Sequence, residues 1–294
     1  NCCGSLNLTR DYKFGELYCS TLYQSELNIG ADYNPEATKF QFDFLNDEIV
    51  SENSLLGVYN DKLPKGLKDA LINNKPIVFF INPPYATANV MGTDEKHKAG
   101  VAKTMINEQM LKDKIGASSQ NLYAQFLYRI IQIKNEFNLT NCHIALFSPT
   151  LFLTGSSYAK FRNVFLNEFS FDNAIQFKAS HFADVADNWG ISFSIWHNGE
   201  TFEKNNFNYT LVDNENGEIV EIGNKVVYNI DGLKTASEWA KEPIKKLKTF
   251  ETINVSSAIK IRPDTSDNRG TNFDGSFGYF LNAGNNVNKN TQSV

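Results

Sequence analysis

Short apolar runs alternate with longer amphipathic stretches along most of the chain, which is the pattern of a sheet with helices laid on its faces. ELYCSTL (Glu16 to Leu22), KFQFDFL (Lys39 to Leu45), PIVFFIN (Pro76 to Asn82) and HIALFSP (His143 to Pro149) read as strands. NLYAQFLYRIIQIKNEF (Asn121 to Phe137) predicts the clearest helix, with Leu122, Phe126, Ile130 and Ile133 on one stripe. A second helix is expected through Ser157 to Phe169, then a strand near NAIQFK and a last pair around GISFSIWHNG and FNYTLVD. The early strands lie too far apart in sequence for hairpins, so crossovers and a largely parallel sheet are expected, with the late pair as an antiparallel edge. The fold class is therefore α/β.

From about Thr201 the pattern changes. NGEIVEIGNKVVYNI suggests a small β-hairpin, WAKEPIKKLKTF a short basic helix, and the Asn-, Gly- and Ser-rich tail reads as loop. The expected division is a core over 1–204 and an accessory region over 205–294. The opening NCCG reads as the end of a strand and its turn, so the residues of that first strand are expected upstream and the core is expected to be truncated there. No internal repeat is visible.

Composition narrows the function classes. A chain of 294 residues with 41% hydrophobic and 21% charged residues is globular and large enough for a sizeable core, and the unusual count is Phe 23. A formal net charge of -5 argues against coating nucleic acid by overall basicity, while leaving room for a basic cleft. No run is apolar enough to span a bilayer and the first residues lack a secretory plan, so a cytoplasmic protein is expected. Cys2, Cys3, Cys19 and Cys142 have no paired spacing and are expected as reduced thiols. His97, His143, His181 and His197 show no metal-binding spacing, and no metal is expected.

The informative stretch is IVFFINPPYATANV, Ile77 to Val90. Two prolines remove two backbone donors and push Asn82 toward extended backbone, so the strand must stop there. At the carboxyl end of a parallel strand, where open α/β sheets bind ligands, the Asn82 side-chain oxygen and the Pro83 carbonyl form a pair of acceptors for one amino group. Tyr85 adds a flat face for a planar base, worth roughly 1–3 kcal/mol per base in stacking sites.

Asn82-Pro83-Pro84-Tyr85 resembles the (D/N)PP(Y/F) motif of S-adenosylmethionine-dependent amino-group methyltransferases, whose largest class modifies adenine N6 in DNA. Other segments follow in the family's order. Cys3-Gly4-Ser5-Leu6-Asn7-Leu8 is similar to the cofactor turn, with Leu6 where the family has Gly. Gln41-Phe42-Asp43-Phe44-Leu45 is similar to the motif whose Asp and next residue meet the cofactor's adenine. Asn121-Leu122-Tyr123 stands in the place of D-L-Y, and Phe147 to Leu153 with Phe161-Arg162 resembles the P-x-x-F-L…L-R stretch. The acidic ribose reader at the end of the second strand has two neighbouring counterparts, Gln24 and Glu26, of which Glu26 has the required charge.

The resemblance implies a Rossmann-like methyltransferase three-layer sandwich. It implies catalytic Asn82, Pro83, Pro84 and Tyr85 and a cofactor site of Cys3, Gly4, Ser5, Asn7, Glu26, Asp43, Phe44 and Asn82. It also implies double-stranded DNA with a flipped adenine as substrate, a target-recognition region beginning within 205–294, and a restriction nuclease, fused or separate, as a partner. Lys96, Lys98 and Lys103 are expected in a solvated loop, or in one that closes on DNA backbone. Methylation of protein glutamine or of RNA, and a catalytically silent nucleic-acid-binding domain on the same fold, are the alternatives.

Overall fold

The computed structural model describes residues 6–49, 60–85, 104–181, 190–229, 232–234 and 239. Cys3, Gly4, Ser5, Lys96, Lys98, Lys103 and the stretch expected as a basic helix, Trp239 apart, lie outside those residues, as does the Asn-rich tail. The chain divides into two compact units, Asn1–Ile230 and Asp231–Val294. In the second, Gly232 takes a positive φ of 79° and Leu233 and Trp239 are exposed.

The first unit runs β1 (Tyr18–Thr21), α1 (Gln24–Ile29), β2 (Thr38–Gln41), α2 (Lys65–Ile72), β3 (Ile77–Ile81), α3 (Met105–Lys112), α4 (Leu122–Glu136) and β4 (Cys142–Ser148). It continues with α5 (Leu151–Thr154), α6 (Ala159–Glu168), β5 (Phe169–Lys178), β6 (Gly190–Asn198), β7 (Asn206–Glu215) and β8 (Glu218–Tyr228). β1 and β2 pair in parallel as a two-stranded sheet, and the other six form a mixed sheet in the order β3-β4-β6-β5-β7-β8. The four strands expected in the first half and both expected helices are present. The short helices α1, α2 and α3 carry too few turns to show a periodic stripe.

Two details differ from expectation. β6 is interior and antiparallel to both β4 and β5, so the six-stranded sheet is mixed rather than mostly parallel with one antiparallel edge. Its serines make this possible. Ser192 and Ser194 are fully buried, with Ser192 Oγ donating to the Ser148 carbonyl at 2.7 Å and Trp196 Nε1 donating to Ser194 Oγ at 2.9 Å. The second difference is that NGEIVEIGNKVVYNI is no hairpin of its own. Asn216-Gly217, with φ 55° and 89°, turns β7 into the long strand β8. Within β8 a bulge falls at Ile222, where the register shifts between Leu211 and Val212 and the next residue, Gly223, takes φ 149°.

The aromatic excess has a place. Phe161, Phe165 and Phe169 stand four residues apart along α6 and into β5, stacked at 6.0 and 5.5 Å, and Phe165 meets Trp196 edge-on at 4.9 Å. Phe152, Phe171, Phe207 and Tyr209 continue the cluster. α4 is buried around most of its girth, beyond the predicted stripe, and its buried polar residues are anchored. Gln125 accepts from Thr104 at 2.6 Å and donates to the Ser119 carbonyl at 2.8 Å, while Arg129 Nη2 donates to the Asp47 carbonyl at 2.9 Å. This anchoring, with Phe126 stacked on Phe44, ties the helix to the loop after β2. Among the described residues no helix is long and apolar enough to cross a membrane, and Cys19 and Cys142 are buried thiols outside any disulfide.

Candidate functional site

β3 and β4 are parallel neighbours, paired from Ile77↔Cys142 to Ile81↔Leu146, so Asn82 emerges at their carboxyl edge. Asn82 is half-buried, Pro83 buried and Pro84 exposed. Tyr85 packs against the core with its ring half-buried, and its hydroxyl donates to Asn82 Oδ1 at 2.6 Å. Burial pushes the Tyr85 hydroxyl well above the ordinary tyrosine value. The motif therefore closes on itself. One lone pair of the Asn82 oxygen is taken by Tyr85, and an amide oxygen has a second.

Asn82 lines a cavity of about 1390 Å³ together with Asn7 and Phe44, and with Cys19, Phe42, Phe79 and Phe147. The cavity runs along β3 from Lys75 to Asn82 and is also lined by Tyr18 and Cys19 of β1 and by Leu67, Ala70 and Leu71 of α2, so most of it is the gap between the open edges of β1 and β3, and Asn82 stands at one end of it. Phe44 is buried and stacks on Phe126 at 5.3 Å. Asn7 is exposed at the cavity wall. Leu6, at the position where a glycine was expected, does adopt the left-handed backbone that glycine favours, with φ 64°, and its side chain is buried at 1% exposure. That backbone costs a leucine about 1–2 kcal/mol, which burial of its side chain offsets.

Asp43 sits beside Phe44 in a dense loop. Its Oδ1 accepts the backbone N–H of Leu45 and of Asn46, both at 3.1 Å, and its Oδ2 accepts the Asn46 amide at 2.8 Å. Its own N–H donates to Asp47 Oδ2 at 2.8 Å, and Asp47 in turn pairs with Lys62 at 2.7 Å. Glu26 is in the first turn of α1 and its carboxylate accepts the hydroxyl of Thr21, the last residue of β1. The structure thus brings Asn7, Phe44 and Asn82 to one cavity, with Asp43 next to Phe44. Glu26, Asp43, Pro83, Pro84 and Tyr85 are not among the residues that line it. Cys3, Gly4 and Ser5 lie outside the described residues.

The other motif segments hold the scaffold. Asn121 is the residue before α4, and Tyr123 is buried, stacked on Tyr158 at 5.6 Å. Arg162 is buried and its Nη1 donates to the Gly155 carbonyl at 3.1 Å. Gly155 is required there, because a Cβ would lie 2.9 Å from the Leu151 carbonyl oxygen. Sequence reasoning missed Thr21, Asn46 and Asp47. The last two were legible as a turn signal, since Asp43, Asn46 and Asp47 in DFLND are the residue types that fold back onto their own backbone. Among the described residues no group of three or more His, Cys, Asp or Glu is placed to hold a metal ion.

No family model matches the chain, and no curated protein does. Among solved structures it is similar to restriction-modification proteins at low identity. For the DrdV–DNA complex the identity is 16% over 71% of this chain and 22% of that one, with a TM-score of 0.46. A modification subunit assigned to a type I restriction enzyme from Vibrio vulnificus is 14% identical over 74% of this chain and 43% of that one, with a TM-score of 0.41. The type IIL restriction-modification enzyme MmeI in complex with DNA is 13% identical over 68% of this chain and 24% of that one, with a TM-score of 0.39. The chain spans less than half the length of each.

Proposed function

We infer that the carboxyl end of β3, where Asn82 borders the cavity, binds S-adenosylmethionine and that the chain methylates N6 of adenine in double-stranded DNA, in the manner of a site-specific modification enzyme. The observation that carries this reading is that Asn82, from the NPPY motif, lines one cavity with Asn7 and Phe44, from the two segments that resemble cofactor motifs. Around Asn82 the residues fit the cofactor by chemistry. There the cavity is lined by Phe42, Phe44 and Phe147 and by the amide-bearing residues Asn7 and Asn82. When bound, the cofactor would supply an electrophilic methyl group, its sulfonium S–CH3 bond breaking as the N–CH3 bond forms and one amino proton passing to solvent.

The protein's own part is to hold the nucleophile. The Asn82 oxygen and the Pro83 carbonyl accept the two hydrogens of the adenine amino group, which leaves its nitrogen lone pair free to face the methyl. As positive charge develops on that nitrogen, both acceptor dipoles interact with it more strongly than with the neutral amine. Tyr85 orients Asn82 through its hydroxyl and offers a ring face to the base. With Pro84 following Pro83, neither residue has a backbone N–H to compete for these acceptors.

A labelled-methyl assay with DNA, RNA and protein offered separately tests the reading. Label in adenine N6 of DNA alone supports it. Label in RNA or in glutamine keeps the chemistry and replaces the substrate. Intact protein that binds no S-adenosylmethionine by calorimetry overturns it in favour of a silent domain.

A further inference from the structure

The gap between β1 and β3 is bordered by backbone as well as by side chains. The Ile77 N–H donates to the Asn141 carbonyl at 3.0 Å, so Ile77, Phe79 and Ile81 turn their backbone groups to β4. Val78 and Phe80, one step out of phase, turn theirs into the gap, and among the described residues those groups have no partner. β1 faces the gap in the same manner. The Leu17 carbonyl accepts from the Thr38 N–H and the Thr21 carbonyl from the Phe42 N–H, both at 2.9 Å, so the backbone of Tyr18, out of phase with them, is turned away from β2.

The side chains around this backbone are apolar on both sides. Phe79 joins Leu71 of α2 in the buried core on one face of β3. On the other face Val78 is 62% exposed, and the ring of Phe80 lies 6.1 Å from those of Phe147 and Phe193. A strand lying between β1 and β3 would meet apolar groups above and below, as interior strands of parallel sheets do. An apolar strand edge is also one that proteins ordinarily cover, because it pairs with whatever strand it meets.

The chain reaches the gap where such a strand would have to leave it. Asn7, Leu8 and Thr9, and then every residue from Asp11 to Leu17, line it before the chain enters β1 at Tyr18. From Leu6 to Leu17 is twelve residues, the length that a crossover between parallel neighbours requires. We propose that the gap is the seat of a β-strand supplied by the same polypeptide from the N-terminal side of Leu6, apolar on both faces and about as long as the five residues of β3. It pairs with β1 on one edge and β3 on the other, and joins the two-stranded and six-stranded sheets into one. Backbone hydrogen bonds supply the pairing, so its side chains need only be apolar and a designed strand can stand in for it.

Amide hydrogen exchange on the whole chain tests this, read at Val78 and Phe80 against Ile77 and Phe79, whose amides face β4. In the unmodified chain the Val78 and Phe80 amides should exchange fast. Fusing the strand VIVIV before Asn1 should slow both by about tenfold or more, while the same strand fused after Val294 should leave them fast. Val78→Asp puts a charge in the gap at an exposed position. In the N-terminal fusion it should abolish the protection of Phe80, with Ile77 and Phe79 still slow as the sign of an intact fold.

Val78 and Phe80 amides that are already slow in the unmodified chain overturn the proposal, since the edge is then covered without an added strand. So does an N-terminal fusion that leaves both fast while Ile77 and Phe79 stay slow. Equal protection from the strand after Val294, or from free VIVIV peptide, overturns the N-terminal source in favour of a strand taken from a partner. No outcome depends on cofactor binding, so the functional reading stands or falls on its own assay.

Discussion

The ends of β2 and β3 lie on the same cavity and are built in opposite ways. After β2, the loop from Asp43 to Asp47 binds itself. Each carboxylate oxygen of both aspartates has a donor, and the loop is tied to Lys62, Met105 and Arg129. After β3, two prolines remove donors, and within the Asn82 to Tyr85 motif the side-chain bond runs from Tyr85 to Asn82. The first arrangement holds a shape, which suits recognition of a rigid, flat group that must be met the same way each time. The second keeps acceptors available, which suits a group that must be taken up, changed and released.

Removing the side chain at the open end should have the largest effect on chemistry and little on folding. Asn82→Ala is expected to lower methyl transfer to DNA by about 10²–10³-fold, the range for losing one preorganised polar group aimed at developing charge. Its stability should fall by no more than about 1 kcal/mol, the cost of the Tyr85 hydroxyl losing its Asn82 acceptor, because Asn82 itself is only half-buried. Single-turnover rates at saturating cofactor measure the first and equilibrium unfolding the second. Full activity in Asn82→Ala would erase the distinction between the two strand ends.

The closed end should respond in the reverse sense. Asp43→Ala leaves the Leu45 and Asn46 N–H groups and the Asn46 amide without their acceptor. A stability loss of about 1–3 kcal/mol is expected, less than the sum of three bonds because water reaches this half-exposed loop. Cofactor affinity should fall with it. If stability is unchanged and only binding falls, the loop is less self-supporting than its hydrogen bonds indicate.

What the sequence made legible follows the same division. The ends of β1, β3 and β4 could be read within a residue or two because each apolar run is short and terminated by polar or proline residues, whereas β2 stops at Gln41, four residues before the expected Leu45, where Asp43 folds back onto its own loop. NPPY was legible because two prolines after VFFI leave the backbone few choices. The self-binding of DFLND was readable in principle from its Asp and Asn spacing, but its attachment to Met105 was not, since that contact joins residues 59 apart and depends on how α3 packs on α4. Position 6 was legible as a place for left-handed backbone only through the motif, because leucine itself argues against it. The interior, antiparallel place of β6 was hidden for a different reason. Ile191, Ser192, Phe193 and Ser194 alternate like a strand with one wet face, whereas both serines are buried and bonded.

The finest test of the open end concerns Tyr85. Tyr85→Phe removes the hydroxyl that donates to Asn82 and keeps the ring, so methyl transfer should fall only severalfold. Burial raises the folded-state pKa of this hydroxyl, so the unfolded chain ionises first, near the ordinary value of about 10. The sign follows. Below that pH the tyrosine contributes its full stability, and above it the folded state loses stability until its own higher pKa is reached. Between pH 10 and 11 wild type should lose up to about 1.4 kcal/mol that Tyr85→Phe does not, read as a narrowing gap between their denaturation midpoints. Tyr123, Tyr128, Tyr158 and Tyr209 are also raised by burial and lower the stability of both proteins alike, so the difference isolates Tyr85. From pH 7 to 9 the ratio of the two proteins' activities should stay constant. A ratio that drifts in that window would mean that the hydroxyl ionises there, and a phenol that ionises so readily is neither packed against the core nor held on Asn82.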